Sequence, residues 1–225
     1  MDIKQTRFQG VYETWKGKRK VLLTKNLAIG TRTYGEDLVR EDGTEYRMWN
    51  AQKSKLAAAI LKGVGNINIR PGSVILYLGA SSGTTVSHVS DIVGNDGFIF
   101  AVDLAPRVVR QLVFLSEQRK NIAPILADAN KTELFYNQVL AVDTVYQDVA
   151  QKHQVDIFIK NCDLFLKQGG FGLLCVKARS IDVTQKPKDI FRLVKTQLEK
   201  HFIIADYREL EPFQLDHCIF ICKKK

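Results

Sequence analysis

Two hydrophobic rhythms divide the chain near residue 50. Before it, Val11-Tyr12-Glu13-Thr14-Trp15 alternates with period two, Lys16-Gly17-Lys18 offers a turn, and Lys20-Val21-Leu22-Leu23-Thr24 resumes the pattern. Asp42-Gly43 is a second hairpin signal, ahead of Glu45-Tyr46-Arg47-Met48-Trp49, because both residues tolerate the positive φ of tight hairpin turns. Residues 1–50 are therefore predicted to form a small antiparallel β domain, and 51–225 a second domain of different construction. Ser54 is placed to cap a helix over 56–61 that stops at Gly63. Val74-Ile75-Leu76-Tyr77-Leu78 is apolar throughout, as a strand covered on both faces would be. Comparable runs follow at 98–102, 122–127, 144–147 and 173–177, separated by helical spacing that includes 108–117 and 156–167. Segments 203–207 and 218–222 are near enough to pair antiparallel. This alternation predicts an α/β fold, a Rossmann-like, mostly parallel sheet with helices on both faces.

Composition narrows the class. The 225 residues are 45% hydrophobic and 25% charged, enough to bury a core without metals or crosslinks. That excludes a disordered tail, a collagen-like repeat and a disulfide-stapled scaffold. Thirty-three Lys and Arg against 24 Asp and Glu leave a net charge of +9, which points to a phosphate-bearing partner, nucleic acid or membrane surface. The longest stretch free of Asp, Glu, Lys and Arg, 71–90, is interrupted by Gly, Ser, Thr and His88 and is no membrane span. Met1-Asp2-Ile3-Lys4-Gln5 carries no secretory pattern, so a soluble cytoplasmic location is expected. Cys162, Cys175, Cys218 and Cys222 form no CxxC pair and are expected to be small buried residues, with no metal site.

Ligands of such a sheet bind beyond the carboxyl ends of its strands. The first strand exits into Gly79-Ala80-Ser81-Ser82-Gly83-Thr84-Thr85. That G-x-x-x-G spacing is neither the dinucleotide G-x-G-x-x-G nor a triphosphate loop, which disfavours an NAD-dependent dehydrogenase. The second strand exits at Asp103, suited to ribose hydroxyls, and the third at Asp128-Ala129, placed for a purine. The fourth exits at Asp148, followed by Val149-Ala150-Gln151. Any one acid could cap a helix. Three at successive strand ends describe a nucleoside pocket with a free carboxylate at its reactive end. Lys177 finishes the fifth strand, where a buried ammonium needs a partner; Asp148 next door is expected to supply it. Taken alone, Lys55 reads as a surface lysine and His217 as a strand-edge histidine.

Together these blocks resemble the fibrillarin family. The resemblance rests on Glu45-Tyr46-Arg47-Met48-Trp49-Asn50, Ser54-Lys55-Leu56-Ala57-Ala58, the 79–85 turn, Asp103-Leu104-Ala105-Pro106-Arg107, Asp128-Ala129-Asn130, Gln147-Asp148-Val149-Ala150-Gln151 and Val176-Lys177-Ala178-Arg179-Ser180. It spans residues 8–223, and without a Gly/Arg-rich arm the chain is similar to the archaeal form. The resemblance implies an S-adenosyl-L-methionine-dependent methyltransferase sheet with one antiparallel late strand. It also implies methylation of ribose 2′-hydroxyls in rRNA and tRNA, as catalytic subunit of a box C/D guide-RNA ribonucleoprotein. Its implied partners are a Nop-family scaffold and a kink-turn-binding ribosomal-protein-like subunit.

Position by position, the resemblance places Gly79, Ala80, Gly83, Thr84 and Thr85 around the methionine end of the cofactor. Asp103 and Leu104 would meet its ribose and adenine surroundings, Asp128 and Ala129 the adenine, and Asp148, Val149, Ala150 and Gln151 the methionine side. The catalytic set falls on Lys55, Asp148, Lys177 and His217, with Glu209 and Glu211 as alternatives to His217. Lys55, Lys177 and Arg179 are expected to ring the 2′-hydroxyl site. Whether Lys177 removes a proton or only orients the oxygen stays open. Val86 stands where the family has proline. A non-catalytic RNA-binding subunit and a guide-independent methyltransferase are the remaining rivals.

Overall fold

In the computed structural model, which describes residues 2–225, the chain builds two sheets; Met1, the first residue of the predicted N-terminal unit, lies outside the described residues. The first sheet is antiparallel, with strands β1 (Lys4–Gln5), β2 (Val11–Lys16), β3 (Arg19–Lys25), β4 (Leu38–Glu41) and β5 (Thr44–Trp49) in the order β1-β2-β3-β5-β4. Gly17, Asp42 and Gly43 all take positive φ, closing two hairpins where the turn signals stand.

The second sheet holds β6 (Val74–Leu78), β7 (Phe98–Asp103), β8 (Ile122–Leu126), β9 (Val142–Gln147), β10 (Leu166–Lys177), β11 (Phe202–Glu209) and β12 (His217–Lys224). Their order is β11-β12-β10-β9-β6-β7-β8. The pairings among β6 to β10 are parallel, and β12 runs against both of its neighbours. Helices α1 (Lys55–Leu61), α2 (Thr84–Val93) and α3 (Pro106–Gln118) pack on the face that presents Tyr77, Tyr146 and Cys175. On the other face lie α4 (Gln154–Phe165), α5 (Ala178–Ile181) and α6 (Pro187–Glu199). Cys218 and Cys222 join that second core; all four cysteines are buried and free.

Three elements differ from the sequence expectation. The helix expected over 156–167 starts at Gln154 and ends at Phe165, and the strand expected at 173–177 is the inner half of a longer one with a register shift between Leu166 and Phe171. Gly169 takes a positive φ within this irregular strand start. Helix α6 was not anticipated; it buries Ile190, Phe191, Val194 and Leu198 at helical spacing.

The first sheet shares its interior with the second. Phe8, Val11, Leu22 and Trp49 belong to the same apolar cluster as Val86, Val89 and Ile92 of α2. A buried polar network crosses the same interface. Asp91 Oδ2 accepts from Arg47 at 2.8 Å and from the Thr24 hydroxyl at 2.7 Å. Its Oδ1 accepts from Arg119 at 2.5 Å and from the Leu27 N–H at 3.0 Å. Glu36 takes Arg47 Nε at 2.7 Å. Burial pushes the Glu36 carboxyl up, but the Thr33 and Tyr34 N–H groups and Arg47 outweigh it and hold it below its ordinary value. Arg47 also reaches Ser87 Oγ at 2.9 Å, and Ser87 donates to the Thr84 carbonyl at 3.0 Å. The β unit is thus fastened to the helix whose front end is the Gly-rich turn.

His88 is the neutral member of this interface. Because the Thr24 proton goes to Asp91, His88 Nδ1–H donates to Thr24 Oγ1 at 2.8 Å, and Nε2 faces the Tyr34 hydroxyl at 2.8 Å. Burial, then Arg47 and Arg119, push its pKa well below 6.5. The unfolded chain therefore binds a proton near pH 6.5 that the folded chain refuses, so stability falls as pH drops below that value. His217, lowered for related reasons, adds in the same direction. The urea midpoint is expected to decline between about pH 7.5 and 5.5, above the range where carboxylates titrate. The decline should shrink in His88→Gln, and a flat midpoint would contradict the neutral assignment.

Candidate active site

Side chains alternate along strands, and that alternation brings the site together. Tyr146 on β9, Cys175 on β10 and Ile219 on β12 all face the α1 side of the sheet. Two residues along each strand toward its outer end come Asp148, Lys177 and His217, on that same side. Lys177 stands directly opposite His217 in the β10–β12 register. Lys55, the first residue of α1, brings its Nζ to 2.8 Å from the Asp148 carboxylate. Burial would lower the Lys55 pKa, but Asp148 outweighs it and the net shift is upward.

This pairing corrects one expectation. Asp148 is matched with Lys55, 93 residues away, and not with Lys177. Lys177 forms no ion pair among the described residues, and its side chain is exposed. The strand ends there with the side chain in solvent, so no compensating charge is required. Arg179 also turns aside, to Asp216 at 3.0 Å and the Val183 carbonyl at 2.9 Å, and so does not ring the site. Glu209 pairs in register with Cys218, on the opposite face from His217, and Glu211 is exposed in the following turn.

His217 Nδ1 lies 2.5 Å from the Leu215 carbonyl. A carbonyl only accepts, so Nδ1 carries the hydrogen and Nε2 of the neutral ring keeps its lone pair. Burial lowers its pKa; the Leu215 bond and Asp148 oppose this, Lys55 and Lys177 reinforce it, and the net shift is downward.

Beside Asp148 opens a cavity of about 240 Å³. Of the residues expected to hold a cofactor, Gly79, Asp103, Leu104, Ala129 and the run Asp148-Val149-Ala150-Gln151 line it. Ser81, Val102 and Ala127 line it too; small or apolar residues beside the acids gave no charge signal of their own. The other expected wall residues stand behind it. Ala80 is buried, Thr84 opens α2, and Thr85 turns inward to donate to Ser54 Oγ at 3.0 Å. Asp128 accepts from the Asn130 N–H at 2.9 Å. None of the three acids caps a helix. Asp103 accepts from the N–H groups of Ser81 (2.8 Å) and Ala105 (3.0 Å), one on each oxygen, and each oxygen retains a lone pair for a ligand hydroxyl.

The two glycines serve packing. Gly79 has φ 81°, and a Cβ there would collide with the Asp148 carbonyl, so β6 and the Asp148 segment pass backbone to backbone. Gly83 has φ 92°, and its Cβ would strike the Leu115 side chain. Among the described residues, no group of three or more His, Cys, Asp or Glu is arranged to hold a metal ion, and no helix is long and apolar enough to cross a membrane.

Seven strands in this order, with one reversed near the edge and a cavity beyond the ends of β6 and β7, define a Rossmann-like methyltransferase fold. A family model described as Fibrillarin matches residues 3–225, and the chain belongs to the fibrillarin family. It is 49% identical over 226 residues to a fibrillarin-like rRNA/tRNA 2′-O-methyltransferase of Thermococcus gammatolerans, covering 100% of both chains. It superposes on Aeropyrum pernix fibrillarin, solved with natively bound S-adenosyl-L-methionine, with TM-score 0.90 and 43% identity over 99% of this chain and 98% of that one. A fibrillarin solved in complex with Nop5p matches with TM-score 0.84 and 41% identity, covering 91% and 94%.

Proposed function

We propose that this chain transfers a methyl group from S-adenosyl-L-methionine to ribose 2′-hydroxyls of rRNA and tRNA. In this reading it acts as catalytic subunit of a box C/D guide-RNA ribonucleoprotein, on a Nop-family scaffold and beside a kink-turn-binding subunit. One observation carries the reading. The Lys55–Asp148 pair and the facing Lys177 and His217 meet at the same sheet edge as a nucleoside-sized cavity, and Asp148 belongs to both.

The cavity suits the cofactor chemically. Asp103 offers fixed lone pairs to two ribose hydroxyls, and Val102, Ala127 and Ala129 give apolar walls to a flat base. S-Adenosyl-L-methionine, when bound, supplies a methyl group already activated on sulfur. The protein has to align the ribose oxygen and manage one proton. Lys177, exposed and unpaired, presents its ammonium to the 2′-oxygen and stabilises the charge that grows there. Lys55 holds Asp148 in place between the cofactor wall and Lys177. His217, neutral with a free Nε2 lone pair, takes the proton as the new O–CH₃ bond forms and the S–CH₃ bond breaks. The positive excess meets RNA phosphates, which orient a strand without reading its bases. The choice of nucleotide is thereby left to a guide strand.

The direct check is transfer of tritiated methyl groups to a guide-matched RNA. Label at the guided ribose is expected when guide RNA and both protein partners are present, and loss of label when the guide is omitted. Equal labelling by the chain alone would overturn the guide-dependent part of the reading.

A further inference from the structure

One buried side chain between the cofactor wall and Lys177 has no part in the steps above. Gln154, the first residue of α4, is fully buried. Its Nε2 donates to the Gln151 carbonyl at 3.0 Å, and its Oε1 accepts the Lys177 backbone N–H at 3.3 Å. Its own carbonyl accepts from Gln147 Nε2 at 2.6 Å. The partners settle which end of the amide is which, since a carbonyl only accepts and an N–H only donates. Gln151 belongs to the cavity wall, whereas Lys177 lies outside it. A neutral amide spans the two without bringing a charge into the interior; losing it would strip the Lys177 N–H of its side-chain acceptor, while the Gln151 carbonyl would keep the Gln154 backbone N–H at 3.2 Å.

We propose that Gln154 is a positioning residue. It ties the cofactor wall at Gln151 to the backbone of Lys177, so that filling the cavity fixes the lysine over the ribose oxygen. The proposal rests on the methyl-transfer reading of the site. It makes Gln154 the means by which the cofactor half and the RNA half hold one geometry.

Two substitutions separate the two arms of the tie. Gln154→Glu keeps an acceptor toward the Lys177 N–H but sets a carboxylate oxygen against the Gln151 carbonyl. Gln154→Met keeps the length and loses both bonds. At pH 8, Gln154→Glu is expected to raise the Kd for S-adenosyl-L-methionine about tenfold by calorimetry and to lower kcat at saturation several-fold, because the arm that passes cofactor binding on to Lys177 is cut. Gln154→Met should raise the Kd similarly and also lower kcat about 10- to 100-fold. In a Lys177→Ala background it should lower kcat no further, which a purely structural defect would not reproduce.

Amide hydrogen exchange reads the tie without any activity. Gln154→Met should accelerate exchange both at 148–152 and at Lys177, and Gln154→Glu only at 148–152. Unchanged exchange in both variants would overturn the proposal. So would a lowered Tm with wild-type Kd and kcat. Failure of the wild-type chain to bind S-adenosyl-L-methionine would instead sink the functional reading, while the exchange result would still judge the tie.

Discussion

Lys177→Ala is expected to lower kcat for guided methylation by about 10²–10³-fold, the scale seen when a donor to a developing oxyanion is removed. The same change should leave Tm and the affinity for S-adenosyl-L-methionine as they are. Both halves follow from one geometric fact. Lys177 ends β10 with an exposed side chain and no ion-pair partner among the described residues, and it does not line the cavity. Removing it strands no buried charge and opens no hole. Asp148→Ala would be a poorer test, because it would also leave the half-buried Lys55 ammonium unpaired. Turnover by Lys177→Ala near the wild-type rate in the assembled particle would remove Lys177 from the chemistry.

The second large effect lies away from the site. Asp91→Ala should destabilise the fold by about 3–5 kcal/mol, the usual result of removing one partner from a buried ion pair. Net stabilities are only about 5–15 kcal/mol, so the change takes a large share of the total. Asp91 accepts from Arg47, Arg119, Thr24 and the Leu27 N–H. Without it, two guanidiniums that are almost entirely buried would face each other with Glu36 as their remaining counter-charge. Urea unfolding measures this directly, and a loss below about 1 kcal/mol, the worth of an exposed pair, would mean that the network is not dry. Because Arg47 also reaches α2 through Ser87, the damage should extend to the turn that precedes the helix.

Local features were legible in advance because their physics is local. Asp42-Gly43 turns where it does because adjacent residues can both adopt positive φ. Ser54 caps α1 through a bond only three residues long, to the Ala57 N–H at 3.3 Å. The acids Asp103, Asp128 and Asp148 could be picked out because a strand that ends in a carboxylate interrupts an apolar run. Helix α6 escaped notice because five of its thirteen residues are charged and its apolar positions form a narrow stripe. The burial of Arg47, Asp91 and Arg119 has no local signal, since nothing in their immediate neighbours announces it.

By itself the sequence determined the class of fold, the strand-end acids and, through its family blocks, which four residues to watch. Which charges meet was decided by the tertiary structure alone. Lys55 looked like one surface lysine among 33 Lys and Arg, and Lys177 looked like the partner of Asp148. Packing α1 against the sheet gave Asp148 to Lys55 and left Lys177 without an ion pair among the described residues. The nine positive charges in excess promised a phosphate partner without saying where, and the lysine proposed to meet the ribose oxygen is one that forms no ion pair among the described residues. The reason is physical. Coulomb energy depends on distance and burial in space, and a gap of 93 residues encodes neither until the chain has folded.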